Sequence, residues 1–168
     1  MKSLGLASLF FLGFALLETA VFSNIMIFPS VPDFMLIVSL YFSLNNGKLF
    51  GTAAGFISGL ILDFFSASPF GLNCLFRTIF GYVTGIFNKS VNESGIFFPF
   101  ILGFISTLFK ALILWVVSLF YPSINLNINL FSINFGFELF ANSFFTPLIF
   151  RFMDIFKNSI VINPEKVS

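Results

Sequence analysis

The sequence is short of the residues that build metal sites, disulfides and many catalytic centres. It contains no histidine and one cysteine, Cys74, which lies in an apolar stretch. A disulfide within the chain is therefore impossible, and metal sites made of cysteine and histidine lack their ligands. Only 9% of the residues are charged and the net charge is +1, so no basic patch supports binding to nucleic acid.

Apolar residues make up most of what is present. Of the 168 residues 58% are hydrophobic, 30 of them phenylalanines, and the mean hydropathy is +1.03. A soluble domain is ordinarily about 25% charged and needs that polar coat against water. We therefore interpret residues 1–168 as a single integral membrane domain, an all-α bundle of six spanning helices. The phenylalanines are interpreted as lipid-facing and packing residues.

Six apolar segments give the predicted spans. They cover residues 4–22, 32–44, 49–65, 70–87, 95–120 and 135–150. The first is long for the apolar part of a signal peptide, and we expect it to remain in the protein as a span. The second begins at Pro32, which suits a first helical turn, but it is short for a bilayer crossing. The residues before it are expected to lie at the interface or to re-enter, shielded by other helices.

One connection has a different pattern, and it lies between the last two spans. Apolar residues alternate there with asparagines, at Ile124, Leu126, Ile128 and Leu130. A period of two predicts a short strand or an extended segment rather than a helix.

Outside the spans, lysine and arginine are confined to one set of loops and to the ends of the chain. These residues are Lys2, Lys48, Lys89, Arg151, Lys157 and Lys166. Loops on the other side have neither residue, and an excess of basic residues marks the cytoplasmic side of a membrane protein. The sequence therefore predicts that both termini are cytoplasmic.

Charged residues inside or at the ends of the spans form a second group, which the predicted orientation places in the outer half of the membrane. They are Glu18, Asp33, Asp63, Arg77, Lys110 and Glu138. A charge at the bilayer centre costs roughly 2.5–3.5 kcal/mol on insertion scales. We therefore expect these side chains to form an intramembrane cluster that shares partners and water.

Two contacts within this cluster are predicted. Folding spans three and four into an antiparallel hairpin favours an Asp63–Arg77 pair. The alternative is that Asp63 reaches headgroup water and Arg77 pairs with Glu18 or Asp33. Lys110 is expected to pair with Glu138, against the alternatives of reaching toward an interface or into a pocket open to the outside.

Glycines recur at four-residue steps on two neighbouring spans. Gly51, Gly55 and Gly59 lie on the third span, and Gly81 and Gly85 lie on the fourth. Residues four apart share one helical face, and small residues mark close helix contacts in membranes. We interpret this seam as packing within one chain rather than as a dimer face, because the two helices are neighbours.

No catalytic motif accompanies these features. The sequence has no G-x-S-x-G elbow, no phosphate-binding glycine loop and no histidine base. An intramembrane acid dyad of Asp33 and Asp63 is not expected, because their flanking residues match no intramembrane protease motif. The expectation is a protein that is not an enzyme and that needs no cofactor or metal.

The segment from Pro32 to Asn73 resembles the MreD family of bacterial rod-shape-determining membrane proteins. The similarity lies in Pro32-Asp33 before an apolar run, in the small-residue span 51–63 that ends in Asp63, and in the following segment 66–73. It covers about a third of the chain, and the remainder is similar only in its hydropathy. The phenylalanine content and the asparagine-rich connection depart from the family pattern.

The resemblance implies a non-catalytic subunit of the cell-elongation complex in the bacterial cytoplasmic membrane. Its implied partners are a bitopic MreC-like protein, MreB filaments, a RodA-type glycosyltransferase, a penicillin-binding transpeptidase and membrane lipid, and its role is to help couple MreB to peptidoglycan synthesis. It also implies the six-helix fold of the substrate-binding subunits of energy-coupling-factor transporters. A solute-binding or vitamin-binding subunit of that type is therefore the alternative function.

A partner interface is expected at the ends of the similar segment and in the alternating connection. The residues are Pro32, Asp33, Pro69, Phe70 and Gly71, together with Ile124, Leu126, Ile128 and Leu130. Alternating apolar residues suit edge-on pairing with an extended chain. Turn formation by the prolines and glycine, and helix capping by Asp33, are the alternative explanations.

Overall fold

The computed structural model describes residues 2–21, 29–66, 69–88, 95–120 and 132–161. Within these ranges all regular secondary structure is helical, as the sequence predicted. The helices are α1 (Lys2–Leu16), continued by a π-helical segment (Leu17–Val21), α2 (Phe34–Asn46), α3 (Lys48–Phe65), α4 (Leu72–Ile86), α5 (Phe97–Phe120), α6 (Ile133–Asp154) and α7 (Lys157–Ile160). The connection 121–131, with its predicted strand, lies outside the described residues.

Two of the described helices, α3 and α5, are long and apolar enough to cross a membrane by length and composition. Residues 5–20 and helix α2 are apolar but shorter. α2 has 13 residues, which corresponds to about 20 Å at 1.5 Å per residue. It is therefore shorter than the roughly 30 Å thickness of a hydrocarbon core.

Helix α2 is the central element of the described bundle. It contacts α1, α3, α4, α5 and α6, and every side chain from Phe34 to Leu44 is buried. Its sequence contains no charged residue, and a helix that is apolar on all sides is stable only when neighbours surround it. Phenylalanines from two neighbours pack at its first turn, where the ring of Phe34 lies 6.3 Å from Phe14 and 5.2 Å from Phe145.

Helices α3 and α4 form a closely packed antiparallel hairpin along the glycine seam. A Cβ added to Gly59 would lie 2.6 Å from the carbonyl oxygen of Asn73, and one added to Gly85 would lie 2.7 Å from the backbone nitrogen of Lys48. Gly51 and Gly81 face one another, each against the backbone of the other. Backbone therefore touches backbone along this line, which any side chain larger than hydrogen would prevent.

Helix α7 lies beyond the last predicted span. Its residue Ile160 is fully buried, and the helix contacts α1. A single apolar residue on an otherwise polar turn gives no periodic signal, so the sequence did not predict this contact.

Candidate functional site

Asp33 begins helix α2 and is the centre of a buried group of charged side chains. Its Oδ1 accepts a hydrogen bond of 2.8 Å from the backbone N–H of Leu36, which is an N-cap contact. The same oxygen lies 2.6 Å from Nη2 of Arg77, and Oδ2 lies 2.7 Å from Nζ of Lys110. One carboxylate therefore joins α2 to α4 and α5.

The group continues onto helix α6. Nζ of Lys110 also donates to Oε1 of Glu138 at 2.7 Å, which is the pair named in the sequence analysis. Arg77 is fully buried, the Asp33 side chain is 5% exposed, and Lys110 and Glu138 are 20% and 18% exposed. Removing such charges from water costs several kcal/mol per ion unless partners replace the lost hydration. The chain of contacts Arg77–Asp33–Lys110–Glu138 supplies those partners.

Two neutral residues extend this network, and the sequence analysis missed both of them. Oδ1 of Asn142 accepts a hydrogen bond of 2.8 Å from the backbone N–H of Asp33. Its Nδ2 donates to Oγ1 of Thr107 at 3.1 Å, and that hydroxyl donates to the carbonyl oxygen of Gly103. An asparagine in the middle of an apolar helix is a signal for such a contact, because an unsatisfied amide in lipid is costly.

Glu18 reaches the same helix terminus from α1. It lies in the π-helical segment, and its carboxylate accepts a hydrogen bond from the backbone N–H of Met35, in the first turn of α2. Its other oxygen, Oε2, is buried and has no partner among the described residues. Glu18 and Asp33 together satisfy two of the N–H groups that the start of a helix leaves open. The negative charge of Asp33 also suits the positive end of the helix dipole.

Asp63 does not belong to this group, and the predicted Asp63–Arg77 pair is wrong. Its two oxygens accept hydrogen bonds from the backbone N–H groups of Gly71, Asn73 and Cys74 at 2.9, 3.1 and 3.2 Å, and from Nδ2 of Asn73 at 2.9 Å. Pairing by hairpin symmetry overlooked these donors at the start of α4, which need an acceptor. Arg77 lies further along α4 and forms the alternative pair, with Asp33.

The other end of α2 is also held by two polar contacts. The hydroxyl of Tyr41, a fully buried residue, donates to Oδ1 of Asp154 at 2.8 Å. Nδ2 of Asn88, at the end of α4, donates to the carbonyl oxygen of Leu44 at 2.6 Å. Polar contacts at both ends therefore fix the axial position of a helix that carries no charged residue.

Burial corrects part of the predicted partner interface. Pro32 is buried and Asp33 is 3% exposed, so both face the interior of this chain rather than a partner. Phe70 is 70% exposed, Pro69 is also exposed, and Gly71 has the positive φ of 92° that glycine readily adopts. The residues Ile124, Leu126, Ile128 and Leu130 lie outside the described residues.

The charges of the group come close to cancelling. Three acids, Glu18, Asp33 and Glu138, face two bases, Arg77 and Lys110, which leaves one negative charge when all five are ionised. The contacts join segments from α1 through α6, apart from α3, at one place in the bundle. Such an arrangement can fix the relative positions of these helices.

These observations define a protein whose described residues form apolar helices around a buried ionic network. A comparison with protein-family models matches residues 2–156 to the rod shape-determining protein MreD, and the chain therefore belongs to the MreD family. That family consists of bacterial membrane proteins that determine rod shape, and it is not a known enzyme family. No curated protein and no solved structure gives a significant match to the chain.

Proposed function

We propose that this protein is a non-catalytic subunit of the cell-elongation complex, which binds an MreC-like bitopic protein. In this role it helps to couple cytoplasmic MreB filaments to peptidoglycan synthesis. The observation that carries the proposal is the family match, which extends over residues 2–156 and thus over nearly all of the described bundle. A rigid bundle held by buried ion pairs suits a protein that positions partners rather than one that turns over a substrate.

The proposal includes a topology. The protein would cross the cytoplasmic membrane with six helices, α1 to α6, and would have both termini in the cytoplasm. The distribution of lysine and arginine supports this orientation. Reporter fusions to each terminus, one fluorescent only in the cytoplasm and one active only outside, test it. An outside location of either terminus contradicts the proposed topology.

The proposed contact with the MreC-like protein lies at the turn between α3 and α4. Pro69 and Phe70 are exposed there, and Asp63 fixes the start of α4 beside them. An exposed aromatic side chain next to an anchored helix start is a suitable contact for a partner that lies along the same end of the bundle. The N–H of Gly71 is bonded to Asp63, which anchors the backbone directly after Phe70.

Depletion of the protein in a rod-shaped cell tests the function. We expect rounded cells, and we expect the MreC-like protein to lose its association with the other membrane subunits in detergent extracts. Re-expression of the wild-type chain should restore both. Unchanged cell width together with an intact complex after depletion would refute the proposed role.

A solute-binding subunit of an energy-coupling-factor-type transporter is the second candidate. The observation that favours it is the polar group at the start of α2, where Glu18 has a buried oxygen without a partner among the described residues. A bound solute raises thermal stability by RT ln(1 + [L]/Kd). The test is a panel of vitamins added to the purified protein. A rise in Tm with one compound, together with unchanged cell shape after depletion of the protein, would support this function in place of the first.

A further inference from the structure

Arg77 is fully buried but uses only part of its hydrogen-bonding capacity. Its Nη2 donates to Asp33, whereas Nε and Nη1 are buried without a partner among the described residues. A guanidinium carries five N–H donors and no acceptor. Buried donors of this kind are almost always satisfied by protein or by ordered water. The free donors of Arg77 therefore indicate a ligand that accepts hydrogen bonds.

Within the described part of the chain, Glu18 has an unpartnered hydrogen-bond acceptor, and it lies beside the first turn of α2. One of its oxygens accepts from the N–H of Met35, and Oδ1 of Asp33 accepts from the adjacent N–H of Leu36. Since Nη2 of Arg77 is bonded to that same Oδ1, both side chains border the first turn of α2. The structure describes no ion pair between Glu18 and Arg77, and Oε2 of Glu18 stays without a donor among the described residues.

We propose that Glu18 and Arg77 border an internal hydration site. In it, one or more water molecules accept hydrogen bonds from Nε and Nη1 of Arg77 and donate to Oε2 of Glu18. Water combines donor and acceptor in one small neutral molecule, and buried waters typically make about three hydrogen bonds. The three unpartnered atoms match that number.

The charges around the site favour a neutral ligand over an ion. An anion would lie beside the carboxylates of Asp33 and Glu138, which already neutralise the two bases of the group. A cation would face the unpartnered N–H donors of Arg77. The π-helical segment that carries Glu18 is a second feature of the site, because such segments are rare and occur often at functional positions. The inference concerns the bundle itself and does not depend on the proposed role in cell shape.

The sequence allows a direct test, because Arg77 and Arg151 are its two arginines. The full chain is labelled with 15N-arginine and placed in phosphatidylethanolamine–phosphatidylglycerol vesicles, and magnetisation transfer from water to the guanidinium groups is measured by solid-state NMR. The R151K variant assigns the signals, since Arg151 is exposed and forms no part of the site. We expect Nε of Arg77 to receive magnetisation from water on a timescale similar to that of exposed Arg151. Absence of magnetisation transfer from water to Arg77 would overturn the proposal.

Two variants of Glu18 identify the partner of the water. Glu18→Gln keeps an acceptor and should keep the transfer to Arg77, whereas Glu18→Leu should lower it several-fold. Transfer to Arg77 that is the same in the leucine variant would overturn the placement of the water beside Glu18. If the leucine variant does not fold, the wild-type measurement still decides whether Arg77 is hydrated. The glutamine variant then tests whether the water also contacts Glu18. We expect the Nε resonance of Arg77 to shift in that variant, and an unshifted resonance counts against a water shared by Glu18 and Arg77.

Discussion

Replacement of Gly55 by alanine should separate helices α3 and α4 and lower the stability of the protein. A Cβ at this position would lie 2.8 Å from the carbonyl carbon of Arg77 and 3.2 Å from Cα of Thr78. It would lie closer still to the carbonyl oxygen of Arg77. These atoms belong to the backbone of α4, so no change of rotamer can remove the clash. The helices themselves have to move apart.

The size of the effect follows from these distances. Carbon atoms in good contact are about 3.5–4.0 Å apart, so the helices would have to separate by about 1 Å near Gly55. Insertion of a methyl group into a packed interior typically costs about 1–3 kcal/mol. Because rigid backbone receives the added atom, we expect a value of about 3 kcal/mol, at the upper end of that range.

Gly13 supplies the matched control, since a Cβ added there meets no atom within 4 Å. Both glycines lie in helices, and alanine is favoured over glycine in a helix by about 1 kcal/mol at either position. The difference between Gly55→Ala and Gly13→Ala therefore isolates the clash. Unfolding in detergent, followed by the fluorescence of the single tryptophan Trp115, measures it. Equal stability of the two variants would refute the close approach of α3 and α4 at Gly55.

Three further predictions concern the polar contacts and the exposed turn. Asp33→Asn should lower the free energy of unfolding by about 3–5 kcal/mol, because it leaves Arg77 buried without its carboxylate partner; retention of wild-type stability would contradict the ionic network. Asp63→Ala should cost about 1–2 kcal/mol as a lost helix cap, and exchanging the charges of Asp63 and Arg77 should not restore stability, since they form no pair. Recovery of stability in that double variant would support an Asp63–Arg77 pair. Phe70→Ser should change the free energy of unfolding by less than about 0.5 kcal/mol but weaken co-purification with the MreC-like protein; an unaffected complex would remove this residue from the interface.

Helices α1 to α6 could be predicted from the sequence because local sequence signals mark each of them. Pro32 and Asp33 mark the start of α2, and the polar turn before Lys48 marks its end. The spacing of Gly51, Gly55 and Gly59 placed them on one face of α3, which is the face that contacts α4. These features depend on residues within a few turns of one another, so they can be read along the chain.

The choice of partners among the charges was predicted less well. The sequence offers four acids for two bases, and every pairing of them is compatible with the composition. Hairpin symmetry favoured Asp63 for Arg77, but the N–H groups at the start of α4 occupy Asp63. Which acid remains for Arg77 depends on where α2 lies in the bundle, and that position is set by contacts between residues far apart in the chain.

The sequence by itself determined that this is an apolar, helical chain with small residues at its closest helix contact and a few charges in its spans. Those properties follow from composition and from the 3.6-residue period of the helix. Only the tertiary structure decided that α2 is the central helix and that Asp33 accepts hydrogen bonds from both Arg77 and Lys110. A buried charge is stable only with partners in the right geometry, and packing in three dimensions supplies that geometry.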